Sequence, residues 1–406
     1  MSENLIPEGY KQTEIGVIPE GWSVVELGDA VFFLDGQRRP IKSGDRAKIK
    51  GQYPYYGASG IVDYVNDYIF DGEFILLGED GENILSRSLP LAFKVKGRVW
   101  VNNHAHVLQP REEFNIDFLT NFLESLDYSL LNSGTAQPKL NKKSCFGIKV
   151  LKPNIKEQTA IANALSDVDG LLGGLEKLIA KKQAIKTATM QQLLTGKTRL
   201  PQFAHHPDGT KKAQKQTELG PIPEDWEAVQ LGTITKINMG QSPSSQFYNN
   251  KGVGLPLVQG NADISNRETI IRNYTSQITK TANKGDLILS VRAPVGEVAK
   301  ATFDCCIGRG VCAINYENNY IYQWLISFES EWDKFSKGST FDSINSDELR
   351  VIQLAIPQEK EEQTAIAQIL SDMDSEIQTL QTRLTKTQQI KQGMMQQLLT
   401  GKVRLV

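Results

Sequence analysis

The chain contains one long unit that is written twice. Residues 11–29, "KQTEIGVIPEGWSVVELGD", return at 215–233 as "KQTELGPIPEDWEAVQLGT". Residues 157–200, which begin "EQTAIA" and end "QQLLTGKTRL", return at 362–405 with the ending "QQLLTGKVRL". A period of about 205 residues that occurs only twice is far longer than the repeat of a solenoid. The pattern therefore predicts a tandem duplication with pseudo-twofold symmetry.

The repeated terminal segments predict two long helices that pair. In both copies apolar residues recur at alternating steps of four and three, which is the spacing of a coiled-coil seam. The predicted seam consists of Ile161, Leu165, Val168, Leu172, Leu175 and Ile179 in the first copy and of Ile366, Leu370, Met373, Ile377, Leu380 and Leu384 in the second. At about 1.5 Å per residue each helix would be roughly 60 Å long, which is more than a globular domain usually needs. The alternative is a seam that packs only on its own domain.

The "TGK" peptide at the end of each segment looks like part of a phosphate-binding loop, but its surroundings do not fit one. Such a loop needs a glycine five residues before Gly196, where the chain has Gln191. In the second copy Val403 follows Lys402, and valine cannot bind magnesium. A glycine that follows a run of helix-forming residues is typical of a left-handed helix end. We therefore predict two helix ends.

The middle of each copy differs in character from its flanks. Segments such as "EFILLGE" and "GDLILSVRAPVGEVAKATF" are β-branched and are interrupted by glycine or proline, as strands are. Helices and lead-ins match closely between the copies, whereas the two middles barely align. This pattern predicts two β-rich domains that read different targets from one common frame.

Composition limits the environment and the partners. The chain has 406 residues, 40% hydrophobic and 23% charged, as expected of a soluble protein with two or more domains. It shows no signal-like start and no run of about 18 apolar residues, so we expect a cytoplasmic protein without a membrane span. Four cysteines suit a reducing compartment, and buried strand cysteines are favoured over a zinc site. The formal net charge of −2 means that a nucleic acid would have to meet local basic patches.

Several motifs resemble those of the specificity subunit of type I restriction–modification systems. "EQTAIA" and "MQQLLTGK.RL" are similar to the helical regions of that family, and "IPEGW" and "IPEDW" to the entry of its target recognition domains. "YPYYGASGIVDYV" in the first middle and "CCIGRGVCAI" in the second resemble parts of such domains. The resemblance covers essentially the whole chain, in the same order in both copies.

The resemblance implies a fold class and a division of the chain. The expected fold is α+β, with two β-rich target recognition domains joined by two long helices in an antiparallel coiled coil. The expected parts are a first target recognition domain at 1–153, a central spacer helix at 154–196, a linker at 197–219, a second target recognition domain at 220–357 and a C-terminal spacer helix at 358–401.

The resemblance also implies a role. Each target recognition domain reads one half of a split, asymmetric site in double-stranded DNA, and the chain itself is not an enzyme. The helices set the gap between the halves and bind two modification subunits, which use S-adenosylmethionine to methylate adenine at N6. Two restriction subunits, with ATP and Mg²⁺, complete the endonuclease. We expect no cofactor or metal in this chain.

Basic residues interleaved with tyrosine, together with polar residues in loops, are the candidates for DNA contacts. In the first domain they are Arg38, Arg39, Lys42, Arg46, Lys48, Tyr55, Tyr56, Asn103, His104, Gln137 and Lys139. In the second domain they are Gln241, Ser242, Ser244, Arg292, Arg309, Ser339 and Thr340.

Each of these predictions has an alternative. The first basic loop could be an ordinary solvated loop. His104 and His106 alternate along the chain and could form a metal pair, and Arg292 could instead pair with a carboxylate such as Glu297.

Other functions have less support in the sequence. An adenine methyltransferase would need an [ND]PP[YF] tetrapeptide to hold the flipped base, and none is present. The chain also has no H-E-x-x-H, no G-x-S-x-G and no complete phosphate-binding loop. The remaining alternative is a coiled-coil scaffold whose two β-rich domains bind protein or carbohydrate.

Overall fold

The protein folds into two units that do not follow the order of the chain. The structure, a computed structural model, describes residues 6–134, 137–332 and 343–405. The first unit combines residues 1–176 with residues 382–406, and the second consists of residues 177–381. Each unit therefore contains one β-rich middle and a part of both terminal helical segments.

The first unit is built around a six-stranded sheet. Its strands are β1 (Tyr10–Thr13), β2 (Gly16–Pro19), β3 (Ser23–Glu26), β4 (Val31–Phe33), β5 (Lys50–Gly57), β6 (Gly60–Val65), β7 (Phe70–Gly78), β8 (Ala92–Val101), β9 (Ala105–Pro110) and β10 (Lys149–Lys152). Its helices are α1 (Leu27–Ala30), α2 (Ser43–Arg46), α3 (Asn83–Ser86), α4 (Ile116–Ser125), α5 (Lys142–Phe146) and the beginning of α6 (Ile155–Leu193). The strand order of the sheet is β4-β9-β7-β8-β5-β6.

Strand β7 shows why this sheet is buried on both faces. Successive side chains of a strand point to opposite faces. Ile75 and Leu77 therefore pack into the main core, which also contains apolar residues of α4, whereas Phe74 and Leu76 pack into a second cluster on the other face. Asn115 caps the start of helix α4, because its side chain accepts hydrogen bonds from the backbone N–H groups of Asp117 and Phe118.

The second unit has more and shorter strands. They are β11 (Gln214–Thr217), β12 (Gly220–Pro223), β13 (Trp226–Gln230), β14 (Lys236–Met239), β15 (Tyr248–Asn249), β16 (Leu255–Val258), β17 (Ile264–Ser265), β18 (Glu268–Thr269), β19 (Asn273–Thr275), β20 (Thr281–Ala282), β21 (Leu287–Ser290), β22 (Val298–Lys300), β23 (Cys305–Ile307), β24 (Val311–Asn315) and β25 (Gln353–Pro357). Its helices are α7 (Leu231–Ile234), α8 (Tyr320–Ser327), α9 (Ser346–Arg350) and the beginning of α10 (Lys360–Leu398).

The two units share one frame. The order β4-β9-β7-β8 in the first unit matches β14-β24-β21-β22 in the second. The lead-in hairpin β1-β2 matches β11-β12, and the two-stranded sheet β3-β10 matches β13-β25. The second unit adds a five-stranded sheet, β15-β19-β16-β23-β20. The duplication therefore includes the fold of the middles, although their sequences have diverged.

Helices α6 and α10 run antiparallel inside each unit. In the second unit Lys182 pairs with Glu376 at 2.6 Å and Lys186 with Asp374 at 2.6 Å, so the residue numbers rise along one helix as they fall along the other. In the first unit Asp169 of α6 pairs with Lys391 of α10 at 2.6 Å. The predicted seam residues are all buried or half-buried. The predicted fold class, with two β-rich domains and an antiparallel coiled coil, is confirmed.

The predicted helix ends are also confirmed. Both helices stop within three residues of a glycine in the left-handed region, Gly196 with φ +69° and Gly401 with φ +72°. A side chain is excluded at both places for a second reason. A Cβ at Gly196 would lie 2.5 Å from the Cδ atom of Pro223, and one at Gly401 would lie 2.6 Å from the Cδ atom of Pro19.

Candidate nucleic-acid interface

One edge of the first unit gathers loops that lie far apart in the sequence. Glu79 N donates to His104 O at 2.8 Å, and Leu140 N donates to Glu79 O at 2.7 Å. Asn102 N donates to Tyr56 O at 3.1 Å, which adds the β5–β6 turn to the same edge. We call this edge the first rim. It consists of residues 35–48, 57–60, 79–81, 102–104 and 137–139.

Arg38 holds the first rim together. Its Nη1 atom donates to Glu79 Oε2 at 2.7 Å and to Ala105 O at 2.8 Å, and its side chain is only 14% exposed. Lys139 also pairs with Glu79, at 3.4 Å, from the other side. Because the Arg38 guanidinium is occupied by these partners, its first role is to position the loops.

Two further predicted residues also have structural roles. The Tyr55 ring is 1% exposed and packs with Val65 and Trp100, so a base cannot reach it. The Arg46 side chain donates to Ile41 O at 2.7 Å, pairs with Asp63 at 3.3 Å and lies 4.9 Å from the centre of the Tyr55 ring. The interleaving of basic and aromatic residues that suggested DNA contacts here reflects a small core, and for Tyr55 the burial contradicts the prediction.

The remaining predicted residues of the first rim have exposed side chains: Arg39, Lys42, Lys48, Asn103, His104, Gln137 and Lys139. Tyr56 precedes the rim, in β5, and is half-buried. His104 Nδ1 lies 2.8 Å from Asp80, a bond that fixes the orientation of the exposed ring. Lys48 pairs with Asp45 at 3.0 Å on the surface. These are the side chains of the first rim that can reach a DNA molecule.

His106 lies beneath the rim, not on it. Its ring is 1% exposed, with Nδ1 2.8 Å from Asp35 Oδ2 and Nε2 3.0 Å from Leu140 O. Both partners are acceptors, so both ring nitrogens must carry a proton and the ring is an imidazolium. Burial opposes this charge, but the interactions with Asp35 and Cys145 outweigh burial and raise the pKa of His106 to about 10. Despite the cost of burial, His106 in turn lowers the pKa of Asp35.

The second unit brings its predicted residues to the equivalent edge. Gln241 N donates to Ile307 O at 2.9 Å, and Arg309 N donates to Ser242 Oγ at 3.1 Å. Ser244 N donates to Gln277 Oε1 at 2.8 Å. We call this edge the second rim, and it consists of residues 241–244, 291–292 and 308–310. The loops that follow β14 and β21 and precede β24 correspond to those that follow β4 and β7 and precede β9.

Arg292 lies in the second rim with its side chain exposed. Its backbone pairs with Ser343, and within the described part of the chain its side chain makes no ion pair. The suggested carboxylate partner, Glu297, instead accepts a hydrogen bond from Asn261 at 2.5 Å. Ser339 and Thr340, the other predicted residues of this region, lie outside the described residues.

Each unit is closed by a junction that the sequence analysis missed. In the second unit the buried Glu362, at the start of α10, receives two bonds from Arg199, at 2.6 and 2.7 Å, and one from Trp226 Nε1 at 3.1 Å. Asp225 binds the other side of Arg199 at 2.8 Å. Burial raises the pKa of Asp225, but the hydrogen bonds and positive charges of Arg199 and Lys212 outweigh burial and lower it to about 2.

The first unit repeats this junction with the equivalent residues. Glu157, at the start of α6, receives Trp22 Nε1 at 2.9 Å and Arg404 Nη2 at 2.7 Å, and Arg404 Nε also donates to it. The sequence did contain a signal: both copies retain the patterns IPE-x-W, EQTAIA and TGK-x-RL. Each supplies one member of the junction.

A metal centre and a membrane segment find no support in the described residues. No group of three or more histidine, cysteine, aspartate and glutamate side chains in them is arranged to hold a metal ion. His104 and His106 have separate carboxylate partners, Asp80 and Asp35. In the same part of the chain no helix is both long enough and apolar enough to span a bilayer.

Comparison with known proteins identifies the family of this chain. The family model described as "Type I restriction modification DNA specificity domain" matches residues 19–187 and again residues 223–392. The chain belongs to the type I restriction–modification specificity subunits. Its two matches to the family model correspond to the two copies of the repeat.

Individual relatives of this specificity subunit agree along its whole length. It is 30% identical to the putative type I restriction enzyme MjaX specificity subunit of Methanocaldococcus jannaschii, over 98% of this chain and 97% of that protein. It is 21% identical to the type I restriction enzyme EcoDI specificity subunit of Escherichia coli, over 96% of this chain and 90% of that one.

Solved structures support the fold. The S subunit of a type I restriction–modification system from M. genitalium aligns with a TM-score of 0.60 at 15% identity, over 93% of this chain and 96% of that one. A chain from a study of complex assembly in the type I R-M system aligns with a TM-score of 0.56 at 22% identity, over 95% and 99%. At these identities the likeness concerns the fold alone.

Proposed function

We propose that this chain is the DNA-reading subunit of a type I restriction–modification complex and that it recognises a bipartite, asymmetric site. The first rim reads one half of the site and the second rim reads the other. The chain directs two adenine-N6 modification subunits and two restriction subunits to that site in the cytoplasm.

One observation carries the proposal. The two units share strand order, lead-in hairpins and junctions, yet present different side chains at equivalent edges. The first rim exposes Arg39, Lys42 and His104, whereas the second exposes Gln241 and Arg309. Arginine, histidine and glutamine can reach base edges or phosphates, and different sets favour different sequences. Two domains that expose different side chains on one frame should therefore recognise a site with two different halves.

The chemistry is assigned to the partners. We propose that the chain is not an enzyme and needs no cofactor; its buried carboxylates Asp35 and Glu362 are held in structural pairs with His106 and Arg199. S-adenosylmethionine would bind to the modification subunits, and ATP and Mg²⁺ to the restriction subunits. The four cysteines are free thiols, which suits a reducing compartment.

Methylome sequencing of cells that contain the complete system tests the proposal directly. We expect N6-methyladenine in one split motif, with two unlike halves at a constant gap. A gel shift with the purified chain and its modification subunit should then prefer a duplex that contains this motif. Binding that ignores the motif would contradict the proposal and favour a scaffold that binds protein or carbohydrate. A motif with two identical halves would contradict the proposed asymmetry of the site.

Exchange of one reader should change one half of the site. The exchanged segment should run from Val31 to Ile148, so that β3 and β10 remain paired below it. With the equivalent segment of another specificity subunit, we expect a new first half, an unchanged second half and an unchanged gap. Methylome sequencing measures all three. A change in both halves would show that the units do not read independently.

Loss of exposed cations from the first rim should weaken binding to every sequence. Each phosphate contact contributes about 0.9 to the slope of log K against log salt. We expect the Arg39→Ala, Lys42→Ala double variant to lower that slope by up to about 2. The matched control is Lys96→Ala, Arg98→Ala, which removes two exposed cations of β8 outside the rim. Equal slopes for the two double variants would remove Arg39 and Lys42 from the interface.

A further inference from the structure

The main sheet of the first unit ends in an edge strand with exposed apolar side chains. Strand β6 is the last in the order β4-β9-β7-β8-β5-β6. Within it Ile61 is 48% exposed, Val62 is 56% exposed and Tyr64 is 49% exposed. Proteins usually protect an edge strand with charged residues or proline, because an open apolar edge promotes pairing with other chains. This cluster on β6 therefore indicates a surface that a ligand covers.

A β-bulge at Val62 sets the direction of these side chains. Tyr55 of β5 lies opposite Asp63, and the next residue, Tyr56, lies opposite Ile61. Val62 is therefore the extra residue of β6. Successive side chains of a regular strand point to opposite faces, but a bulge redirects one of them. In accordance with this, the consecutive residues Ile61 and Val62 are both exposed.

The bulge lies beside the first rim. A Cβ atom at Gly57, in the turn between β5 and β6, would lie 2.7 Å from Val62 Cγ2 and 3.5 Å from Asn102 Nδ2. Val62 therefore packs over this turn, close to Asn102. The Asn102 side chain in turn accepts a hydrogen bond from His104 N at 2.8 Å. The exposed aliphatic side chains are thus continuous with the surface that the proposed function assigns to DNA.

The charge next to the hairpin suits a nucleic acid. Residues 38–50, which lead into β5, contain one carboxylate, Asp45, and six cations: Arg38, Arg39, Lys42, Arg46, Lys48 and Lys50. Arg46 pairs with Asp63 at 3.3 Å and so ties this segment to β6. Cations that meet phosphates hold a protein on the duplex, while neighbouring side chains contact the bases. The hairpin has both kinds of residue side by side.

The second unit has a polar hairpin at the equivalent position. Its sheet ends in β18-β17 where the first ends in β5-β6, and β18 pairs in parallel with β22 as β5 does with β8. The exposed residues of this second hairpin include Ser265, Asn266 and Glu268. The position in the sheet has been retained while the exposed chemistry has changed from aliphatic to polar. Such a change is expected of an element that reads the target.

The apolar character of the β5–β6 hairpin indicates what it reads. The major groove of DNA is about 12 Å wide and admits a two-stranded ribbon, and the apolar group that base pairs present there is the C5 methyl of thymine. We propose that the β5–β6 hairpin enters the major groove of the half-site read by the first unit, where Ile61 and Val62 contact a thymine methyl group. This inference rests on the proposed function and deepens it.

The test is a double-mutant cycle between protein and DNA. The exchange of residues 31–148 identifies the half-site of the first unit, and each thymine in it is replaced in turn by deoxyuridine, which lacks only the methyl group. Binding by the chain with its modification subunit is measured at constant salt. One replacement should weaken binding by the parent about fourfold, the effect of one methyl group in an apolar contact. The Ile61→Ala, Val62→Ala variant should bind both duplexes equally, because its contact with the methyl group is already lost.

Controls on both sides of the interface make the test specific. Ile15→Ala, Val17→Ala is the matched variant, because it changes the same residue types in the same unit, each 41% exposed, on the lead-in hairpin. It should retain the fourfold loss of the parent. Deoxyuridine in the other half-site should have the same effect on the parent and on the Ile61→Ala, Val62→Ala variant. Because both hairpin residues are exposed, thermal unfolding of this variant should stay close to that of the parent.

The other outcomes contradict the inference. If no deoxyuridine in the first half weakens binding by the parent, or if the hairpin variant shows the same loss as the parent, Ile61 and Val62 do not contact a thymine methyl group. The proposed function stands in both cases. If the hairpin variant no longer assembles with the modification subunit, the hairpin contacts protein and the inference is wrong. If the parent prefers no motif at all, the proposed function fails and the inference fails with it.

Discussion

Replacing Glu362 by glutamine is expected to lower the free energy of unfolding of the second unit by about 3 kcal/mol or more. The Glu362 carboxylate is 2% exposed and holds Arg199 through two bonds, while Trp226 donates a third. Glutamine has one acceptor oxygen in place of two and no charge. The substitution therefore leaves a mostly buried guanidinium with Asp225 as its only close carboxylate among the described residues.

Denaturant unfolding, followed by hydrogen exchange of peptides from α10 and β13, measures this effect in the second unit. Glu361→Gln is the matched control, because it removes the same charge from an exposed position on the same turn and should change stability by no more than about 0.5 kcal/mol. Equal stability of the two variants would show that the junction does not hold the unit together.

Replacing His106 by glutamine is expected to destabilise the first unit by about 3–5 kcal/mol at neutral pH and to change its pH dependence. The imidazolium of His106 is the closest cation to Asp35, whose side chain is 8% exposed; Arg38 is farther away, at 3.7 Å. Glutamine can occupy the space and bond Leu140 O, but it leaves the Asp35 carboxylate without that charge.

The sign of the pH effect follows from the raised pKa of His106. A folded-state pKa of about 10, against 6.5 for a free imidazole, means that folding takes up a proton between these values. The stabilisation by His106 is complete below pH 6.5 and is lost as the pH rises towards 10, at up to about 1.4 kcal/mol per pH unit. The lowered pKa of Asp35 acts only in acid, below its ordinary value of 3.8.

Hydrogen exchange of β9 peptides from pH 6 to pH 10 checks this prediction. The parent should lose protection as the pH rises, beyond the intrinsic change in exchange rate, whereas His106→Gln should show a flat stability. His104→Gln, at a half-exposed histidine two residues away, should keep the slope of the parent. A parent without any slope would show that the buried pair is neutral.

The sequence predicted the frame of this protein well, because the frame depends on local and periodic signals. The spacing of residues such as Ile161, Leu165 and Val168 indicates a seam within a single segment. Gly196 and Gly401 mark helix ends that depend on the conformation of one residue. Both copies of the repeat carry each of these signals, and a pattern that occurs in both copies is less easily explained by chance.

The rims were harder to predict, because the partners of their side chains lie far away in the sequence. Arg38 is occupied by Glu79, and the Tyr55 ring is covered by Trp100. A basic loop has the same composition whether its cations face DNA or a carboxylate of the neighbouring strand. Sequence alone could therefore name Arg39 and Arg38 together, but it could not separate the exposed one from the buried one.

The division of the chain has a consequence for its synthesis. Because the second unit consists of residues 177–381, a ribosome releases all of that unit before it releases any of residues 382–405. The first unit needs Arg404 for its junction with Glu157, so the half that is translated first is the half that is finished second. Until Arg404 leaves the ribosome, Glu157 at the start of α6 can be bound by Trp22 but lacks the guanidinium that completes the junction.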